Sequence, residues 1–354
     1  MKPDSYLSAS AFYKKLFGTK VYKIAVDAGC TCPTRDGTKG NCGCIFCSGR
    51  GSGDFAPAAE KSITAQIEEA KKLVNAKLKG RAGKNKGKYI AYFQNFTNTY
   101  GNPDILLAKY KEALAQPDIA GLAIATRPDC ISDRILAGIK ELSENYFVSI
   151  ELGLQTIKPE SVRYIRRGYE NEEYIKAVKA IRTASARIHI VTHVIFGLPG
   201  ETKEDMLNTV RWCTHGKNDF PHGTELPPAK CLLPKECSAA EESLSWASSL
   251  SANAGLPPDT ELPPACDGIK FTVLYILEGT DLAGEWRKGR VNTLNMEEYF
   301  DILCSALKEM PPEIVVHRLT GDGPKKILLA PMWTSDKKRV LNALNRYLNE
   351  HSED

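Results

Sequence analysis

The sequence predicts an α/β fold built on a parallel sheet with helices outside it, curled into a partial or full barrel. Short β-branched runs alternate with amphipathic helical patterns along most of the chain, the order that strand–helix–strand units produce. Six or seven such units, in 354 residues, fit one large barrel as well as they fit two average domains. The composition is 42% hydrophobic and 25% charged, enough apolar surface for a sizeable core, which excludes wholesale disorder and the fibrous classes.

Strands are predicted at 21–27, 89–94, 121–126, 147–153, 188–197, 269–276 and 314–317. Between and after them, helices are predicted at 59–79, 105–115, 132–144, 172–183, 202–213, 296–309 and 337–348. Ser132 and Thr202 stand where side-chain caps belong. Residues 221–266 break the alternation. They are rich in Ser, Ala and Pro, carry TELPPA at 224–229 and again at 260–265, and read as an irregular or disordered insertion made by local duplication. Cys231, Cys237 and Cys266 in it have a spacing that fits no metal site well.

The formal net charge of +4 is only mildly basic. No apolar stretch reaches the ~18 residues of a membrane span, and residues 1–10 hold no apolar signal region, so a cytoplasmic protein is expected. Its eleven cysteines are therefore not a disulfide framework. Five of them, Cys30, Cys32, Cys42, Cys44 and Cys47, fall within 18 residues, directly after the first strand. Barrel function collects at C-terminal strand ends, and clustered thiolates in a reducing compartment point to zinc or an iron–sulfur cluster. Zinc prefers two close pairs, of which only Cys44-x2-Cys47 is well spaced, so both metals stay open on spacing alone. Cys130, Cys213 and Cys304 lie in apolar helical surroundings and read as small core residues. Residues 71–88 hold eight basic side chains and no acid, a solvated face or a phosphate contact.

The segment DAGCTCPTRDGTKGNCGCIFCSGRGSGDFA resembles radical S-adenosylmethionine (SAM) enzymes of the YhcC/YtqA-like group, related to the radical SAM half of the Elongator catalytic subunit. The resemblance continues, in order, through YFQNFTNTYGNP, GLAIATRPDCI, VSIELGLQTI, HVIFGLPGET, DGIKFTVLYILEGTDLA and VVHRLTGDGP, sparing only 221–266. It implies a partial (β/α)6-type radical SAM barrel over 1–220 with a cluster loop at 28–56. The insertion 221–266 follows, and 267–354 supplies the last barrel strand or strands and a C-terminal accessory segment.

By the same resemblance, Cys32, Cys44 and Cys47, spaced C-x11-C-x2-C, are the ligands of a [4Fe–4S] cluster, with Cys30 and Cys42 as bystanders. Three thiolates leave one iron open to the amino and carboxylate groups of SAM, whose reductive cleavage gives a 5′-deoxyadenosyl radical. Gln94, Glu151, Gln155, Arg167, His193 and Gly197 are then the candidate SAM-binding residues. Arg167 would meet the SAM carboxylate, unless it is a surface arginine beside Arg163 and Arg166. Gly197 would let the backbone approach a ligand, or is a plain strand-to-helix turn. Thr97 and Thr99 offer further polar groups, while His317 and Arg318 at a strand end would orient a substrate. Tyr169 and Tyr275 stand where the group tends to have His.

The resemblance further implies tRNA wobble-uridine modification, of the type that takes a 5-carboxymethylaminomethyl side chain to aminomethyl, with flavodoxin or ferredoxin as reductant. The chain ends just after the helix at 337–348, so acyl-CoA-dependent carboxymethylation by this chain alone is not expected. Two other classes remain: a radical SAM enzyme acting on a small molecule or protein, and a non-catalytic zinc module that binds nucleic acid.

Overall fold

A computed structural model describes residues 6–51, 59–78, 87–215 and 265–351. β1 (Leu7–Ser8) runs straight into α1 (Ala9–Phe17), followed by β2 (Val21–Val26), α2 (Ile63–Leu78), β3 (Lys88–Phe93), α3 (Pro103–Leu114) and β4 (Ile119–Thr126). Next come α4 (Asp133–Ser143), β5 (Phe147–Gln155), α5 (Pro159–Tyr164), α6 (Asn171–Ala184), β6 (His189–Phe196) and α7 (Lys203–Thr214). Beyond the insertion lie β7 (Gly268–Val273), β8 (Ile276–Leu277), α8 (Asp281–Arg287), α9 (Met296–Glu309), β9 (Val315–Arg318), β10 (Leu328–Ala330) and α10 (Lys337–Glu350).

Eight strands form one sheet in the order β1-β9-β7-β6-β5-β4-β3-β2, with every pair parallel. Each of β2 to β7 is followed by at least one helix, which gives the expected six β/α units. The sheet is strongly curled. Four steps at the ordinary strand spacing would put β3 and β7 about 19 Å apart on a flat sheet, yet Lys270 Nζ on β7 donates to the Tyr92 hydroxyl on β3 at 3.1 Å. Curling leaves the strands an apolar outside and a polar lumen.

The outside is the main core. Leu122, Ile124, Ile150, Leu152, Ile190 and Phe271 are fully buried there under the flanking helices. Ser132 caps α4 as expected, and Thr202 opens α7 with a reciprocal capping box to Asp205. The lumen floor is made by α1, which packs Tyr13 and Phe17 onto Ile90, Ala123 and Phe147. Access is therefore from the C-terminal strand ends.

All seven predicted strands occur, though the one expected over 269–276 stops at Val273, and the helix expected from 59 begins at Ile63. The short β1, α1, α5, β8, α8 and β10 were not anticipated, because two to nine residues carry too little periodicity to be seen. Most of the predicted insertion lies outside the described residues. Its last two, Ala265 and Cys266, are buried and belong to the barrel, where the Cys266 N–H donates to Cys213 O at 3.0 Å. No helix among the described residues is long and apolar enough to cross a membrane.

Candidate active site in the barrel lumen

The cysteine loop leaves β2 at Asp27, where a buried polar knot holds it. The Asp27 N–H donates to Gln66 Oε1 at 2.7 Å, Gln66 Nε2 returns a bond to Asp27 O, and the Asn95 amide donates to the Asp27 carboxylate. Farther along, Arg35 donates to Cys47 O and Ser48 O at 2.8 and 2.7 Å, folding the loop back on itself. Gly43 is required there: its φ is +67° and the Arg35 side chain fills the space a Cβ would need. This fold-back puts Cys32, Cys44 and Cys47 on one cavity at the mouth of the lumen. Cys30 packs against the main core and Cys42 is exposed.

Burial pushes the Cys44 thiol up to about 12, and the neighbouring Cys47 adds to this against the pull of Arg127. Thiols so placed charge readily only when a metal supplies the positive charge. Among the described residues no three His, Cys, Asp or Glu side chains converge as they would on a single ion. Three thiols opening on one cavity suit a [4Fe–4S] cluster, whose fourth iron stays open to a ligand in that space.

Gln94, Glu151, Gln155, Arg167 and His193 all line the same cavity, together with Thr97, Tyr92, Arg127 and Tyr169. Gln155 takes a φ of +65°, rare for a residue with a side chain and frequent at functional sites. The Tyr169 hydroxyl donates to Gly153 O, and the guanidinium groups of Arg127 and Arg167 lie over its ring, 4.7 and 4.5 Å from the ring centre.

Two of the six carry contacts that the sequence does not announce. Arg167 is neither a surface arginine nor a free cation. It is 1% exposed and donates to Tyr169 O at 2.9 Å and to Leu154 O, Thr156 O and Asn171 Oδ1, each at 2.8 Å. It clamps the end of β5, and burial lowers its affinity for the proton. Gly197 is not among the cavity-lining residues. Its φ of +87° serves the turn, and Leu294 Cγ stands 2.9 Å from where its Cβ would be, so the close approach is to a side chain.

Thr99 stands behind the wall, its hydroxyl bonded to that of Thr126, which lines the cavity, and donating to Cys130 O. His317 is at the floor rather than at the mouth. β9 aligns Val315 with Gly268 at the very start of β7, and His317 Nε2 meets His189 Nε2 at 2.9 Å above Tyr13.

The lower wall is a charged cluster. Glu151, fully buried, accepts from Lys23 Nζ at 2.7 Å on one oxygen and from Lys270 and His193 Nε2 on the other, the last at 2.9 Å. Burial opposes ionisation of Glu151, but Lys23, Lys270 and His193 overcome it and hold the carboxyl well below the carboxylate range. Burial lowers His193 to about 4, so it is neutral and its shared proton stands on Nε2, leaving Nδ1 as a lone pair. Lys23 and Lys270 went unnoticed in the sequence. The signal was there, a lysine in the middle of the buried strands VYKIAV and GIKFTV. Arg127, in ATRPDC, was overlooked because its strand end could be read as a plain turn.

Residues 36–213 match the radical SAM superfamily model, and residues 266–350 match the Radical_SAM C-terminal domain. The chain is 34% identical to the uncharacterized protein YtqA of Bacillus subtilis, over 97% of this chain and 89% of that one. It is 22% identical to the tRNA uridine(34) acetyltransferase of Methanocaldococcus jannaschii, over 67% of this chain and 34% of that protein. Among solved structures, Elp3 of Methanocaldococcus infernus shares the fold at a TM-score of 0.57 and 18% identity, covering 94% of this chain and 63% of that one.

Proposed function

This chain belongs to the radical SAM superfamily, and from that membership we propose that it remodels the side chain of the tRNA wobble uridine, taking 5-carboxymethylaminomethyl toward aminomethyl. It is a radical SAM enzyme, using a [4Fe–4S] cluster, SAM and a reductant. Bound together, cluster and SAM supply a 5′-deoxyadenosyl radical for hydrogen abstraction. In this reading Cys32, Cys44 and Cys47 hold the cluster; Gln94, Gln155 and His193 face SAM; and Arg167 acts through β5, fixing the strand end that carries Gln155. Glu151 orients His193, and the neutral imidazole offers Nδ1 to a polar group in the cavity. Flavodoxin or ferredoxin in the cytoplasm supplies the electron.

The observation that carries the reading is the shared cavity. Three thiols and a wall of polar side chains open on one space at the strand ends, where a substrate group and SAM would meet. Similarity to a protein named as a tRNA uridine(34) acetyltransferase supports the choice of substrate. The test is mass spectrometry of tRNA nucleosides from cells lacking the chain. We expect 5-carboxymethylaminomethyluridine to accumulate and aminomethyl derivatives to fall. An unchanged nucleoside profile would move the substrate to a small molecule or a protein.

A further inference from the structure

The lumen holds more cationic donors than it has acceptors for. Arg318, at the end of β9, is half-buried and pairs in register with Lys270 on β7. Its Nε donates to Phe271 O at 3.3 Å and its Nη2 to Thr272 Oγ1. A guanidinium carries five N–H donors in a rigid fork, so three remain. No carboxylate among the described residues forms an ion pair with it. Lys270 commits two ammonium hydrogens, to Glu151 and to the Tyr92 hydroxyl, and keeps one. One carboxylate, Glu151, thus serves Lys23 and Lys270; because burial lowers Lys270 to about 7 and leaves His193 neutral, the unmatched positive charge is that of Arg318.

A second observation points the same way. The Tyr275 hydroxyl is buried with no hydrogen-bond partner, close enough to Arg318 to feel its charge. Asp322, the carboxylate that also acts on Tyr275, is paired with Lys337 at 2.6 Å through Oδ2, and its Oδ1 is buried without a partner like the Tyr275 hydroxyl. Buried orphan donors are uncommon, and unmatched donors beside an excess of positive charge call for an anion. Arg318 and Lys270 are not themselves among the residues lining the cavity of the three cysteines, but they stand behind its wall: Lys270 bonds Tyr92 and Glu151, and the charge of Arg318 reaches Tyr92 and His193, all three of which line it.

We propose that Arg318, backed by Lys270, binds a carboxylate on the substrate and makes the lumen selective for a side chain that ends in one. A planar guanidinium meets a carboxylate through two parallel bonds, which suits Arg318 better than a point charge would. The preference for an anion comes from this donor surplus, and only the identity of its carrier, the 5-carboxymethylaminomethyl group, rests on the tRNA reading above.

The test uses the full chain with its cluster reconstituted and three anticodon stem-loop RNAs that differ only at the wobble base: 5-carboxymethylaminomethyluridine, 5-aminomethyluridine and uridine. Hydrogen bonds to charged groups predict that the parent prefers the carboxylate RNA over the aminomethyl RNA by about ten- to a hundredfold in Kd. Arg318→Gln should erase that preference, and Arg318→Lys should restore part of it. Iron content and Tm of both variants report whether they fold, and Lys270→Met gives an independent route to the same loss.

Equal weakening of all three RNAs by Arg318→Gln would assign Arg318 to a backbone phosphate and overturn the proposal. So would a preference that survives in both Arg318→Gln and Lys270→Met. If no RNA binds, the tRNA reading fails by itself, and iminodiacetate then becomes the probe. Thermal stabilisation of the parent but not of Arg318→Gln would support the carboxylate site on another substrate, and no stabilisation of either would overturn it.

Discussion

Lys270 on β7 donates its ammonium to Glu151 on β5 from a position where the lysine is only 5% exposed. Burial, with Lys23 and Arg318 nearby, lowers Lys270 to about 7 in spite of that carboxylate. Between there and its ordinary value of 10.5 the unfolded chain holds a proton that the folded chain does not. Stability should therefore rise with pH across that window, with a slope of up to about 1.4 kcal/mol per pH unit from this group. Urea unfolding of the parent and of Lys270→Met at pH 7, 8 and 9 checks it. The parent should gain on the variant at each step, and parallel curves would mean that Lys270 stays charged throughout.

The barrel was legible because its strands and helices are long enough to show their periods, and because Ser132 and Thr202 mark helix starts chemically. α1 was not, since its role is tertiary: Tyr13 and Phe17 make sense only against Ile90 and Phe147, far off in sequence. The site divides in the same way. Cysteine spacing announced the loop, and motif order pointed to Gln94, Gln155 and His193, which line its cavity. Arg167 looked like a ligand because the spacing from Gln155 brings it to the mouth. It is the fold that brings three backbone carbonyls and Asn171 onto its guanidinium. The charge cluster was hidden because Lys23, Glu151 and Lys270 meet by the curl of the sheet.

Single changes of Cys32, Cys44 and Cys47 to Ala should each abolish cluster retention and SAM cleavage, because each leaves an iron without its thiolate. Cys30→Ala and Cys42→Ala should keep both, since one thiol packs against the core and the other is exposed. Iron and sulfide analysis after anaerobic reconstitution reads the outcome. Loss of the cluster in Cys42→Ala with retention in Cys44→Ala would reverse the assignment.

Arg167→Lys separates a clamp from a charge. Lysine keeps the positive charge but cannot reach Leu154 O, Thr156 O and Tyr169 O together, and each buried acceptor left bare costs about 1–3 kcal/mol. A clear fall in Tm, with weaker SAM binding that lysine does not rescue, is expected. If Arg167→Lys instead keeps the parent's Tm and SAM affinity, the residue acts through its charge.

The last prediction concerns the insertion. Cys213 closes α7 and Cys266 precedes β7, and the bond between their backbones makes the chain leave and re-enter the barrel at one point. Arg182 secures the return, donating to Ala265 O at 2.9 Å and to Asp267 at 2.8 Å. Deleting 230–265 fuses the two TELPPA copies, so Ala229 takes the place of Ala265 before Cys266 and presents a carbonyl to Arg182 in the same context. The connection between Cys213 and Cys266 falls from 52 residues to 16. Loop-closure entropy then favours the shorter chain by about 1 kcal/mol. The deleted form should fold, hold its cluster and unfold at an equal or slightly higher urea midpoint. A drop in the midpoint or loss of iron would show that residues between 230 and 265 contribute to the barrel.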